Sequence, residues 1–311
     1  MPTLSPVNTK QIISGNDIGH LMGLPILTLI SWLLPVQMAP WFCRTMAFMN
    51  AATLTSGKVA LTRRIYQHVG DFDISLNPSE IPDAVAGEDL LALVSLLKTH
   101  LTRSWKGTTE IHGREFLDAA LRKGNGAILW RAHFVHYGIP YYKALVDAGF
   151  HFTHISHVRH GFSESRFGIK YLNPIRLHAE NRFVPERLQL TGGAPTIVLR
   201  NAHRRLAENG IVSITTRGDA DNYISAPFLN GTHNVAPGAP RLAYAQGADL
   251  LPVFPIRNPN GSHSIIIEPP ITIDRSQESR VVAENAANEF VNRLQSRVLQ
   301  YPSQWLGWMH L

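Results

Sequence analysis

Past residue 110 the chain alternates short apolar runs with stretches of helix length, and this alternation leaves few folds open to it. Residues 127–130 (AILW) read as a buried strand entered through a glycine-rich turn at 123–126. Residues 137–148 read as a helix stopped by Gly149, and 152–158 as a second strand. Pro195 opens a helix that runs to Glu208, where Asn209-Gly210 ends it. Residues 211–215 form a third strand, 250–256 and 264–267 a strand pair around the turn at 258–261, and 278–299 a long last helix. Strands separated by helices of this length pack in layers. The expected fold class is α/β, with a central, mostly parallel sheet flanked by helices.

The amino end follows a different pattern. Residues 21–43 carry no charge, which is long enough on paper to cross a bilayer. Pro25, Pro35 and Pro40 interrupt the run, and Thr28, Ser31 and Gln37 dilute it. No basic stretch leads directly into it and no small-residue cleavage site follows, so it is not read as a signal peptide. The pattern predicts two helices, about 17–34 and 38–54, on either side of Pro35. The first is apolar nearly all round, so it is either a buried hairpin arm or membrane-associated. We read it as a monotopic anchor lying in the interface, with Lys58, Arg63 and Arg64 placed to meet anionic headgroups. This divides the chain into an amino-terminal apolar segment, 1–60, and an α/β domain, 61–311.

Composition narrows the partners. The single cysteine, Cys43, excludes a disulfide framework and a thiolate zinc site. With 44% hydrophobic and 17% charged residues, the chain is not disordered. A net charge of +6 suits an anionic partner such as a membrane leaflet or an acidic carrier protein. The basic residues are scattered rather than interleaved with aromatics, so no nucleic-acid partner is expected.

The segment WRAHFVHYG at 130–138 carries most of the chemistry. A strand ends there and a helix begins, and residues at the carboxyl ends of strands line the ligand crevice of open α/β sheets. His133 in that place can take a proton from a hydroxyl or amine, although a structural histidine fits the position equally well. His136 lies one turn on and is a candidate for the same pocket. Two histidines with no third ligand make a poor metal site. His151, His154, His157 and His160 recur at every third position, which on a strand sends alternate members to opposite faces, so no metal is expected there. A second polar turn follows 211–215 and holds Arg217, Asp219 and Asp221. It is either an ordinary turn or the wall of the crevice facing His133. The segments 226–231 and 236–243 should bring a helix amino end close to it. Arg159, closing the second strand, is either a solvated arginine or a contact for an anionic group.

The order of these segments resembles the lipid A late acyltransferase family, the lauroyl and myristoyl transferases within the lysophospholipid acyltransferase superfamily. The likeness runs through the apolar amino-terminal helix, the strand ending in His133-Phe134, Asn173-Pro174 and the helix ending in Glu208-Asn209-Gly210. It continues through Asp219, the APFLNG and PGAPRLA segments, LLPVF and the tail PSQWLGW. The resemblance implies a glycerolipid-acyltransferase-like fold at the cytoplasmic face of the bacterial inner membrane. It also implies acyl transfer from a thioester on acyl carrier protein or coenzyme A to a hydroxyl or amine of a lipid-like acceptor. The thioester is a co-substrate and is already activated, so no cofactor or metal is expected. In the family a histidine is followed, after four residues, by Asp or Glu. His133 matches the histidine, and Gly138 stands where the acid belongs. Asp219, Asp221 and His136 are the candidates to replace it, with His136, Arg159 and Arg217 as substrate contacts. If His133 works unaided, an acid restored at 138 is expected to raise activity. A non-catalytic lipid- or carrier-binding homologue and a specialised-metabolite N-acyltransferase remain as alternatives.

Overall fold

The computed structural model describes residues 11–51, 56–136, 138–157, 161–190, 195–216 and 222–310. Four helices come first: α1 (Gly15–Leu33), α2 (Ala39–Ala51), α3 (Ser56–Val69) and α4 (Ile81–Thr102). Then follow β1 (Thr109–His112), α5 (Arg114–Arg122), β2 (Ala127–Arg131), α6 (Ile139–Asp147) and β3 (Phe152–His157). A single π turn (Gly168–Leu172) leads into α7 (Asn173–Glu180), β4 (Glu186–Leu190), α8 (Pro195–Ala207) and β5 (Ile211–Thr215). The chain closes with the hairpin β6 (Ile224–Phe228) and β7 (Gly231–Val235), then α9 (Gly238–Gln246), β8 (Asp249–Arg257), β9 (His263–Ile267) and α10 (Ser279–Gln300).

Seven strands form one sheet in the order β1-β9-β8-β2-β5-β3-β4, parallel at every step except β8 against β9. This is the layered α/β architecture that the alternating pattern predicts. The strand at 152–158 ends at His157, and Val158 lies outside the described residues. Strand β2 sits in the middle and is buried along its whole length, because both faces are covered. Its side chains alternate between two cores. Ile128 and Trp130 join the side built with α8, α9 and α10, while Ala127 and Leu129 join the side built with α5 and α6. The turn into β2 needs glycine at 126: its φ is +71°, and a Cβ there would lie 2.7 Å from the Gly210 carbonyl oxygen.

The amino-terminal helices lie where the sequence predicts them. Ser14 and Asp17 form a reciprocal capping box at the start of α1, and Lys98 donates to the Leu34 carbonyl at its far end, at 2.7 Å. Only one stripe of α1 is covered. Leu24 packs with Leu96 and Leu97 of α4, while Ile18, Met22, Ile26, Trp32 and Leu33 face outward. Helix α2 seats Ala39 and Cys43 on Leu91 and Val94 of α4, leaving Trp41 and Phe48 exposed. Burial and the nearby Glu88 carboxylate push the Cys43 thiol up to about 11, so it is a packing residue rather than a nucleophile. Among the described residues, no helix is long and apolar enough to cross a membrane. Of the basic trio expected at headgroups, Lys58 is held by Asp83 at 2.7 Å, while Arg63 and Arg64 are exposed. Residue 60, where the sequence divides the chain, falls inside α3, whose Leu61 and Ile65 belong to the main core.

Candidate functional site

Strand β2 delivers its last residue, Arg131, into the interior at the carboxyl end of the sheet. Arg131 is fully buried, and its Nε donates to Thr215 Oγ1 at 3.1 Å. Its guanidinium lies 4.4 Å from the centre of the Tyr141 ring and 5.0 Å from that of Tyr142. Tyr141 in turn donates to Ser213 Oγ at 2.9 Å, and burial raises its hydroxyl to about 12. Thr216 donates its N–H to the Arg131 carbonyl at 2.8 Å, which ties the end of β5 to the end of β2.

The histidine turn starts from this anchor. Ala132 donates to the Val253 carbonyl at 2.9 Å, Val135 donates to the Gln304 carbonyl at 2.7 Å, and Leu306 donates to the His133 carbonyl at 3.2 Å. Phe134 forms a bridge with Trp305, so the carboxyl-terminal tail acts as a brace for the turn. Residues 131, 132, 134, 135 and 136 are buried, while His133 is only half-buried. The sequence expectation of a histidine at the carboxyl end of a central strand is met in backbone position.

His136 does not share the exposure of His133. It is 5% exposed, and its Nε2 meets Glu88 Oε2 of α4 at 2.8 Å. Arg257, at the end of β8, approaches the other oxygen of Glu88 at 3.7 Å. Burial works to raise the Glu88 carboxyl, but the His136 hydrogen bond and the charges of His136, Arg257 and Arg44 outweigh it and hold it below its ordinary value. His263 stacks edge-on against His136 with ring centres 5.2 Å apart. Burial first, then His136 and Arg257, push His263 down to about 2, so it stays neutral.

Gly138, where the motif acid would stand, faces another carboxylate. A Cβ on Gly138 would lie 3.6 Å from Glu180 Oε1. Glu180 is fully buried and held by Arg176 at 2.9 Å on one oxygen and Arg187 at 2.9 Å on the other. The space at 138 therefore permits a methyl group but sets a longer acid against an existing one. Two adjacent buried carboxylates cannot both ionise at low cost. Gly138→Glu should thus lower acyl transfer rather than raise it, with Gly138→Ala near wild type. Initial rates for the two variants check this, and a gain in the glutamate variant would refute the argument.

Asp219, Asp221, Arg217 and Arg159 lie outside the described residues. The four spaced histidines are not gathered. His154 is buried with Nδ1 3.2 Å from the Ser213 carbonyl oxygen, His151 is exposed, His157 is half-buried, and His160 lies outside the described residues. Among the described residues, no group of three or more His, Cys, Asp or Glu is arranged to hold a metal. Asn173, part of the motif at 173–174, is a scaffold residue. Its Oδ1 accepts from the N–H groups of Phe162 and Ser163 at 2.8 and 3.0 Å, and its Nδ2 donates to the Ser163 carbonyl at 2.9 Å. The segments at 226–231 and 236–243 fold as the β6–β7 hairpin and α9.

The fold and the turn define a layered α/β protein with a partly buried histidine above its central strand. Residues 91–311 match the bacterial lipid A biosynthesis acyltransferases, and the chain belongs to that family. At the level the family sets, it is an acyltransferase of lipid biosynthesis acting on a lipid-like acceptor. No curated protein matches the chain.

Proposed function

We propose that this chain is a membrane-associated acyltransferase that uses His133 as its general base, with acyl carrier protein or coenzyme A thioesters as donors. The observation that carries the reading is the partly buried His133 in an otherwise buried turn, at the carboxyl end of β2 and inside the family-matched stretch. In the proposed reaction the imidazole takes the proton of an acceptor hydroxyl or amine, and the oxygen or nitrogen attacks the thioester carbonyl. Backbone N–H groups or Arg217 stabilise the tetrahedral oxyanion. Collapse breaks the carbon–sulfur bond and expels the thiolate, which receives the proton from the imidazolium. Asp219, Asp221 and His136 are the groups proposed to support His133, and Arg159 and Arg217 to hold anionic parts of the substrates.

The full chain, supplied with either thioester and a lipid-like acceptor, should transfer the acyl group, read by lipid mass spectrometry. Absence of transfer from both donors would turn the reading to a non-catalytic lipid- or carrier-binding homologue, which Gly138 favours. Transfer to an amine alone would favour a specialised N-acyltransferase.

Membrane association is supported by the outward face of α1 and α2. Contiguous exposed side chains of this size mark interaction surfaces, and tryptophans such as Trp32 and Trp41 suit the headgroup level. An apolar groove of about 860 Å³ runs beside this face, lined by Leu24, Leu29, Trp32, Leu172 and Ile175. The segment 1–60 is proposed as the interface unit of a peripheral or monotopic protein at the cytoplasmic face of the inner membrane, and 61–311 as the α/β unit. Each large side chain that leaves water contributes about 1.5–3 kcal/mol. Replacing Ile26, Leu33 and Trp41 together with serine should therefore weaken vesicle binding by at least about 100-fold. Because all three are exposed, the fold should survive. Unchanged flotation with anionic vesicles would mean that the face does not dock on lipid.

A further inference from the structure

We infer that Glu88 is a positioning residue for the histidine turn: through His136 and Arg257 it gives the turn the carboxylate support that Gly138 lacks. The inference rests on the acyltransferase reading of His133. Glu88 lies ahead of the family-matched stretch 91–311, so no motif points to it.

The residues form a closed circuit. Glu88 holds His136 at 2.8 Å, and His136 ends the turn that begins at Ala132. Val135, in the same turn, donates to the Gln304 carbonyl. The Gln304 side chain clasps the backbone of Arg257 from both sides, accepting from its N–H and donating to its carbonyl, each at 2.8 Å. Arg257 returns to Glu88 through its guanidinium at 3.7 Å. A carboxylate only accepts hydrogen bonds, so the proton of His136 sits on Nε2 and the orientation of the ring is set. Neutral His263 packs against that ring and does not compete for the carboxylate. Among the described residues, the other charged groups near the pair include Asp89 of α4, whose carboxyl burial raises against the charge of Arg176, and Arg44 of α2. Helix α4 thus does two things within about two turns: it seats α2, and it fixes one end of the turn that bears the candidate base. His133 sits three residues from the Glu88 contact, and backbone hydrogen bonds at His133, Phe134 and Val135 hold the turn up to His136.

The test is Glu88→Gln in the full chain, with Glu88→Asp as the conservative variant. Glutamine keeps the shape and removes the charge. The expected result is a fall in kcat of about 10–100-fold with KM little changed, the scale on which residues one shell out from an active-site ligand act. The pH profile of kcat should move, and Glu88→Asp should recover part of the rate. Glu88→Gln combined with His136→Gln should cost no more than the worse single change, because the two act as a unit. Proton–nitrogen spectra of histidine-labelled protein give a readout that needs no turnover. They should show a proton on His136 Nε2, and signals of both His136 and His133 that shift in Glu88→Gln. A variant with wild-type kcat, an unmoved pH profile and an unmoved His133 signal would overturn the inference, even if its melting temperature falls. If His133→Ala retains activity instead, the acyltransferase reading of His133 fails, and the spectra still decide the role of Glu88.

Discussion

Replacing His133 with alanine is expected to abolish acyl transfer while leaving the protein folded. The side chain is half-buried, so its removal opens no core cavity. The backbone of the turn is held at this residue by Leu306, which donates to the His133 carbonyl at 3.2 Å whatever the side chain. A single general base accounts for about 10²–10⁴ in rate, or roughly 3–5 kcal/mol of barrier. Initial rates with acyl carrier protein and coenzyme A thioesters measure the loss, and an unchanged melting temperature separates it from misfolding. Equal rates in wild type and variant would end the general-base reading. Asp219→Asn and Asp221→Asn extend the test to the groups proposed to support His133. If either aspartate supports His133, its loss should cost nearly as much as the loss of the histidine.

Glu180→Ala should be the most destabilising single change near the site. Glu180 has no exposed surface, and it neutralises Arg187, whose side chain is 7% exposed, together with Arg176. Removing the acid leaves a buried guanidinium uncompensated, at a cost of about 3–5 kcal/mol. For a chain of this size the melting temperature should fall by on the order of 10 °C. Taking away both partners is a different experiment. Glu180→Met with Arg187→Met removes the desolvated charge as well as its mate, and should recover most of the loss. Arg176 is 24% exposed and can turn to water. Thermal unfolding of the single and double variants decides the matter. A single variant within about 1 kcal/mol of wild type would show that the buried pair is not needed, since losses of that size are ordinary for any substitution.

Much of the architecture was legible because it is written in local periods. The runs at 127–130, 211–215 and 250–256 are short, apolar and bounded by turn residues, and each forms a strand at or within two residues of its expected limits. Asn209, with φ of +59°, closes the helix before β5 as its residue type implies. The backbone position of His133 followed from the same signals. Other parts left no such mark. The β4 run, ERLQL, pairs on one side only, and its polar residues are tolerated because it is an edge strand. Helix α4 buries residues along much of its length between α1, α2 and the turn beyond β2, so no single apolar stripe marks one buried face.

The supporting carboxylates fall in this second group. Glu88 meets His136 across 48 residues of sequence, and nothing in the spacing of either one predicts the other. Glu180 is the last residue of α7; its i,i+4 partner Arg176 is local, but its second arginine, Arg187, comes from β4, which no spacing predicts. The sequence by itself determined the order of the layers, the central strand, the breaks in the apolar amino end and the candidate base, because each depends on neighbours within a few residues. Only the tertiary structure decided that His136 turns inward to Glu88, that Lys58 is spent on Asp83, and that the space at Gly138 faces a carboxylate from another element. Those outcomes depend on which distant side chains are desolvated together, and burial, not spacing, sets the energy of such pairs.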